Sequence, residues 1–142
     1  MQKKIILNKC FGGFDLSEEG YMLYAKKKGL ELYKYKVNFK GRDCIYTYAT
    51  EEDLFVSYFT KDFGNNVRIS DEDYEKYHLY IREGYREDET LIQVVEELGE
   101  SASGRFGNLQ VIEIPENSFF EIDNYDGQET IYYSETEMFI QW

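Results

Sequence analysis

Proline, histidine, tryptophan and cysteine are scarce in this chain of 142 residues, which holds one proline, one histidine, one tryptophan and two cysteines. With a single proline, no Ser/Gly-rich linker and no low-complexity run, neither a second domain nor a long disordered tail is expected. The length suits one domain, 1–142, with a sizeable core. Cys10 and Cys44 lack metal-type spacing. A disulfide between two strand ends is one reading. Without an export signal the expected one is two reduced thiols that behave as small hydrophobes. No hydrophobic run approaches the length of a bilayer, and the N-terminus has neither an h-region nor a cleavage site. The expectation is a cytoplasmic protein with no membrane partner.

Positive charge is also short: 16 Lys/Arg stand against 28 Asp/Glu, a net charge of −12. Residues 1–50 carry ten basic and five acidic side chains (net +5), residues 51–142 six and twenty-three (net −17). Either packing interleaves the two regions and leaves a merely acidic surface, or they present separate faces. Direct binding to DNA or RNA backbones is disfavoured, because phosphate recognition needs a basic patch. Lys26-Lys27-Lys28 is the best such patch, and it serves more simply as a complement to the negative end of a helix.

Aromatic residues, in contrast, make up 18% of the chain, fourteen of them tyrosines. Tyrosine favours strands and half-buried surfaces, which points to a β-rich fold with a binding face. Lys3 to Leu7 reads as a short first strand. Asn8-Lys9-Cys10-Phe11-Gly12-Gly13-Phe14-Asp15 joins it to a first helix, Leu16 to Lys28, with Asp15 and Glu18 as a capping box and Gly29 at the C-terminal stop. Gly20 inside that helix costs about 1 kcal/mol against Ala, so a close approach to the sheet is expected there.

Leu30–Phe39, Cys44–Thr50 and Leu54–Lys61 read as strands separated by turns, most simply an antiparallel meander. Residues 67–87 read either as a short helix starting at Ser70 or as an aromatic loop with a strand at its end. Asp88 to Leu98 is a clear amphipathic helix closed by Gly99. Leu109–Ile114, Phe119–Asp123 and Gln128–Tyr133 follow as strands, the last two joined by an Asp126-Gly127 hairpin signal. The tail Met138 to Trp142 is too apolar to dangle and is expected to dock on the body or on a second subunit. The order is β-α-β-β-β-(α)-α-β-β-β, an α+β fold with a mostly antiparallel sheet packed by two main helices.

No catalytic constellation stands out, and no cofactor is implied. A Cys–His pair would have to join Cys10 or Cys44 to His78. Cys10 beside a helix start is the better nucleophile, and an inert thiol is the simpler reading. Asp71-Glu72-Asp73 lacks the ligand period and glycine of a calcium loop, so no metal site is expected. The stretch Lys9, Cys10, Gly12 and Gly13 leads from a strand into a helix start, the geometry that offers backbone N–H groups to an anion. It matches neither common phosphate-loop pattern. In Gly104-Arg105-Phe106-Gly107, Arg105 and Phe106 could grip a nucleotide-type ligand by charge and stacking. Acidic and tyrosine residues from Asp71 to Glu100, with Asp71, Asp73, Tyr74, Tyr77, Glu96 and Glu97 foremost, could instead face a basic groove on another protein, carboxylates standing in for phosphates.

Asn8-Lys9-Cys10-Phe11-Gly12-Gly13-Phe14 with Leu16-Ser17-Glu18-Glu19 resembles the opening of a family of small bacteriophage and prophage proteins. The resemblance continues in Val94-Val95-Glu96-Glu97-Leu98-Gly99, Ser103-Gly104-Arg105-Phe106, Val111-Ile112-Glu113-Ile114-Pro115 and Tyr125-Asp126-Gly127-Gln128-Glu129. It covers the two ends of the chain, roughly half its length, and leaves residues 30–87 unmatched. The family has no established activity, so the resemblance implies a bacterial host cell and no catalytic residues. Its His- and Arg-containing tail is replaced here by Glu135 to Trp142, so no function of that tail carries over. The resulting expectation is a non-enzymatic phage accessory protein that binds a host protein, such as a defence or nucleic-acid-handling factor. A nucleotide-sequestering protein and an enzyme using Cys10 are the alternatives.

Overall fold

The computed structural model describes residues 2–53 and 55–134. The expected docking of Met138 to Trp142 lies outside the described residues. These form an α+β fold dominated by antiparallel sheets. In chain order they are β1 (Gln2–Asn8), α1 (Glu18–Lys28), β2 (Tyr33–Lys40), β3 (Asp43–Tyr48), β4 (Ser57–Phe59), α2 (Asp71–Tyr77), β5 (His78–Leu79), α3 (Glu89–Leu98), β6 (Leu109–Pro115), β7 (Phe119–Tyr125) and β8 (Gln128–Ser134). They gather into two compact units, residues 28–80 and the remainder on either side.

In the unit built from both chain ends, β1 pairs antiparallel with β6 from Gln2↔Pro115 to Asn8↔Leu109. Ile5, Ile6 and Leu7 are all fully buried, as expected of an uninterrupted apolar run covered on both faces. Ile5, Leu7 and Ile114 pack with Phe120, Ile122 and Ile131, so the β7–β8 hairpin covers one face. α3 lies against β1 and β6, with Leu91, Ile92, Val94 and Val95 buried. Each such side chain contributes about 1.5–3 kcal/mol over an exposed one. Asp88 starts α3 by accepting the Leu91 N–H at 3.0 Å, and Gly99 ends it with φ 59°.

Two expectations for α1 are corrected. Ser17, whose Oγ accepts the Gly20 N–H at 3.0 Å, caps the helix in place of Asp15. Asp15 is drawn off by the loop before β6: its carboxylate accepts the Phe106 N–H at 3.2 Å and its carbonyl the Gly104 N–H at 2.9 Å. Gly20 does admit a close neighbour, but this is Leu16 and the Ala102 carbonyl, not the sheet; a Cβ would sit 2.5 Å from Leu16 Cδ1.

In the 28–80 unit the sheet order is β3-β2-β4-β5, so β2 is central where a meander would put β3. β2 pairs with β4 at Tyr33↔Phe59 to Tyr35↔Ser57 and with β3 from Tyr35↔Tyr48 onward. Two causes combine. Val67 occupies the outer edge of β3 through reciprocal bonds with Tyr46 (2.7 and 2.9 Å), where a meander would place β4. Pairing β4 with β2 also sets Phe59 against Tyr35, both wholly buried. The Phe59 ring meets those of Tyr35, Tyr46, Phe63, Tyr74 and His78 at 5.1–5.8 Å. Of the two readings for residues 67–87, the structure has the helix: Ser70 Oγ accepts the Asp73 N–H and α2 runs straight into β5.

Asp62 ties this sheet to the following turn. Its Oδ1 accepts the Tyr48 hydroxyl at 2.6 Å and the Gly64 N–H at 2.9 Å, and the Tyr35 hydroxyl lies 3.1 Å away. These bonds, the Tyr48 hydroxyl first, hold the Asp62 carboxyl below its usual range. The same bond, with burial, pushes Tyr48 up to about 12.

A candidate binding surface at a three-loop junction

Antiparallel pairing places Asn8 opposite Leu109, so the chain leaving β1 and the chain entering β6 run side by side. The turn between β7 and β8 joins them. Asp126 and Gly127 have φ of 50° and 93°, the conformation that an Asp-Gly hairpin turn requires. The three loops are bonded backbone to backbone: Lys9 N–H donates to Asn108 O (2.8 Å), Gly12 N–H to Asp126 O (2.9 Å) and Gly13 N–H to Phe106 O (3.0 Å). Only glycine fits at two of these contacts. A Cβ on Gly12, whose φ is 139°, would overlap the Phe106 carbonyl, and one on Gly127 would lie 2.6 Å from the backbone of Gly12.

Asn8 is the hub. Wholly buried, it donates through Nδ2 to Cys10 O (2.9 Å) and Gly127 O (2.6 Å), and its Oδ1 accepts the Asn108 N–H (2.8 Å). Its backbone N–H donates to Glu129 Oε1 at 2.9 Å. Glu129, also buried, receives Arg86 in a bidentate pair, Nη1 to Oε1 at 3.1 Å and Nη2 to Oε2 at 2.8 Å. Arg86 Nη1 also reaches Ile6 O at 3.0 Å, and its guanidinium lies 5.7 Å from the centre of the Phe14 ring. Desolvation makes a buried pair costly unless its remaining hydrogen-bonding groups are met, and here both Glu129 oxygens accept N–H groups and Arg86 Nη1 also meets Ile6 O.

Three rings stand at this junction, two on loops and the third, Tyr125, at the last residue of β7. Phe11, Phe106 and Tyr125 are 62, 55 and 70% exposed, and Phe11 meets Tyr125 edge to face at 6.1 Å. Arg105 is exposed beside Phe106.

The structure therefore brings together Lys9, Cys10, Gly12, Gly13 and Phe106, which the sequence places in two separate loops. A phosphate cradle needs N–H groups turned toward the anion. Those of Lys9, Gly12 and Gly13 are donated to carbonyls, while Lys9 Nζ reaches Glu129 O at 3.3 Å. Cys10 is a half-buried free thiol whose Sγ lies 3.4 Å from Phe106 O; Cys44 is free and exposed. His78 belongs to the 28–80 unit, stacked on Tyr74 at 4.4 Å.

The acidic set divides between the units. Asp71, Asp73, Tyr74 and Tyr77 lie on α2, with Tyr74 against Phe59 and His78 and Tyr77 against Phe63 at 5.8 Å. Glu96 and Glu97 lie on α3 and pair with Lys4 at 2.7 Å and Lys27 at 2.9 Å. The bond to Glu96 raises the pKa of Lys4. Packing thus interleaves the basic start of the chain with the acidic helix.

Sequence reasoning missed Arg86 and Glu129. One signal was available: Glu129 shares the inward face of β8 with Ile131, and a carboxylate among core positions calls for a partner.

A shallow groove of about 320 Å³ beside α3 and β6, lined by Val95, Glu96, Glu100 and Gln110 among others, includes neither Arg105 nor Phe106. Among the described residues no three His, Cys, Asp or Glu side chains gather as a metal ion would need, and no helix is long and apolar enough to cross a membrane. Comparison with protein-family models, curated proteins and solved structures finds no match for this chain.

Proposed function

We propose that this is a non-enzymatic binding protein whose contact surface is the three-loop junction, with Phe11, Phe106 and Tyr125 as anchors and Arg105 beside them. One observation carries the reading: three largely exposed rings, Phe11 and Phe106 on their loops and Tyr125 at the end of β7, stand where three loop backbones are bonded to one another. Exposed rings on a rigid base are suited to recognition, because little freedom is lost when a partner covers them. The resemblance to phage and prophage proteins supports a host protein in a bacterial cell as the partner, of the defence or nucleic-acid-handling kind. The charge of the unit bearing the junction, eight Lys/Arg against eighteen Asp/Glu, supports steering toward a basic surface.

A photo-crosslinking residue placed at 11 or 106, in protein expressed in bacteria, should give one adduct of discrete mass; the same residue at Lys26 should give none. Equal adducts at all three positions, or none at any, would contradict the proposal. With the captured partner in hand, Phe106→Ser should weaken binding at least tenfold, about 1.4 kcal/mol, without moving the unfolding midpoint.

A further inference from the structure

The outer face of the β7–β8 hairpin combines exposed carboxylates with exposed aromatic rings. The register Phe119↔Ser134, Glu121↔Tyr132, Asp123↔Thr130 and Tyr125↔Gln128 puts these residues on one side, while Phe120, Ile122 and Ile131 pack inward on the other. Phe119, Glu121, Asp123, Tyr125 and Tyr132 are all exposed. Glu96 and Glu97 of α3 meet lysines from the start of the chain, but no Lys or Arg follows Arg105 in the sequence. Among the described residues neither Glu121 nor Asp123 is ion-paired.

We propose that this face docks an extended, arginine-bearing protein segment; the proposal rests on the binding-protein reading and names the chemistry of the partner. Charge sign and geometry both select this occupant. Glu121 and Asp123 stand two residues apart on a strand, about 7 Å, twice the rise per residue. An extended segment repeats its side chains at the same spacing, so alternate residues can meet both carboxylates. Tyr132 lies directly across from Glu121, and Tyr125 follows Asp123 on the same face. A carboxylate next to an aromatic ring suits guanidinium, which bonds the first through its planar fork and stacks on the second; ammonium offers only the charge. A nucleic-acid backbone is repelled. Tyr125 also touches Phe11, so the face is continuous with the loop junction.

The test uses the full chain and a labelled octapeptide of alternating Arg and Thr, with Lys–Thr and Glu–Thr peptides of equal length. Anisotropy should show saturable binding of the Arg peptide, at least fivefold weaker binding of the Lys peptide and none of the Glu peptide. Amide shifts should gather on residues 119–134. Glu121→Gln with Asp123→Asn should weaken binding at least tenfold, and Tyr132→Thr severalfold, with unfolding midpoints unchanged. Shifts spread equally over Glu51 and Asp71, unchanged affinity in the double variant, or no saturable binding would overturn the proposal. Failure here with adducts at 11 and 106 intact removes the arginine-bearing segment and leaves the binding-protein reading; loss of those adducts with the peptide still bound removes the loop junction as the contact surface and leaves the hairpin face.

Discussion

Glu129, itself buried, accepts two N–H groups from Arg86 and one from the buried Asn8. Deleting the guanidinium strands the carboxylate, a change that costs about 3–5 kcal/mol when a buried pair is broken from one side. Arg86→Met should therefore lower the urea midpoint steeply, and a loss under about 1 kcal/mol would show that water reaches Glu129. His78 gives a second test at this scale. Burial among aromatic rings holds its pKa below the ordinary 6.5. As pH falls through 6.5 the unfolded chain takes up the proton first, so stability declines from there down to the folded pKa and is level above it. The single imidazole can be followed without ambiguity by NMR titration. A folded pKa at or above 6.5 would contradict the buried setting.

Adjacent glycines in the first loop should behave in opposite ways. Gly12 has φ of 139° and no room for a Cβ beside the Phe106 carbonyl, whereas Gly13 has no neighbour within 4 Å of such an atom and no positive φ. Gly12→Ala should cost at least about 1–3 kcal/mol from strain and part the loops. Gly13→Ala should be neutral or raise the thermal midpoint slightly, by about 0.4–1 kcal/mol of stabilisation. The reverse order would mean the loops meet differently. Elements were legible in the sequence where local signals decide: the apolar run of β1, the stripe and cap of α3, and the Asp126-Gly127 turn. They were not legible where distant contacts decide. Asp15 and Ser17 are both good caps, and the pull of Phe106 N–H on Asp15 chooses between them. The place of β4 follows from Val67 on the edge of β3 and from Phe59 beside Tyr35, neither of which has a local signature.

Across the molecule, the net +5 and −17 of the two sequence regions do not survive as two faces within the unit that joins the chain ends. There Lys3, Lys4 and Lys27 meet Glu87, Glu96 and Glu97. The candidate site shows the same limit: both glycine loops were legible as turns, but their meeting and the Arg86–Glu129 pair beneath them join segments far apart in sequence. The central claim is that this junction is closed on itself and holds its rings ready. Amide hydrogen exchange at Lys9, Gly12 and Gly13 tests it most directly. Protection close to that of Ile5 to Leu7 in β1 is the predicted result. Exchange at the rate of an unstructured chain would contradict it, leaving those N–H groups open to a ligand and the rings without a fixed base.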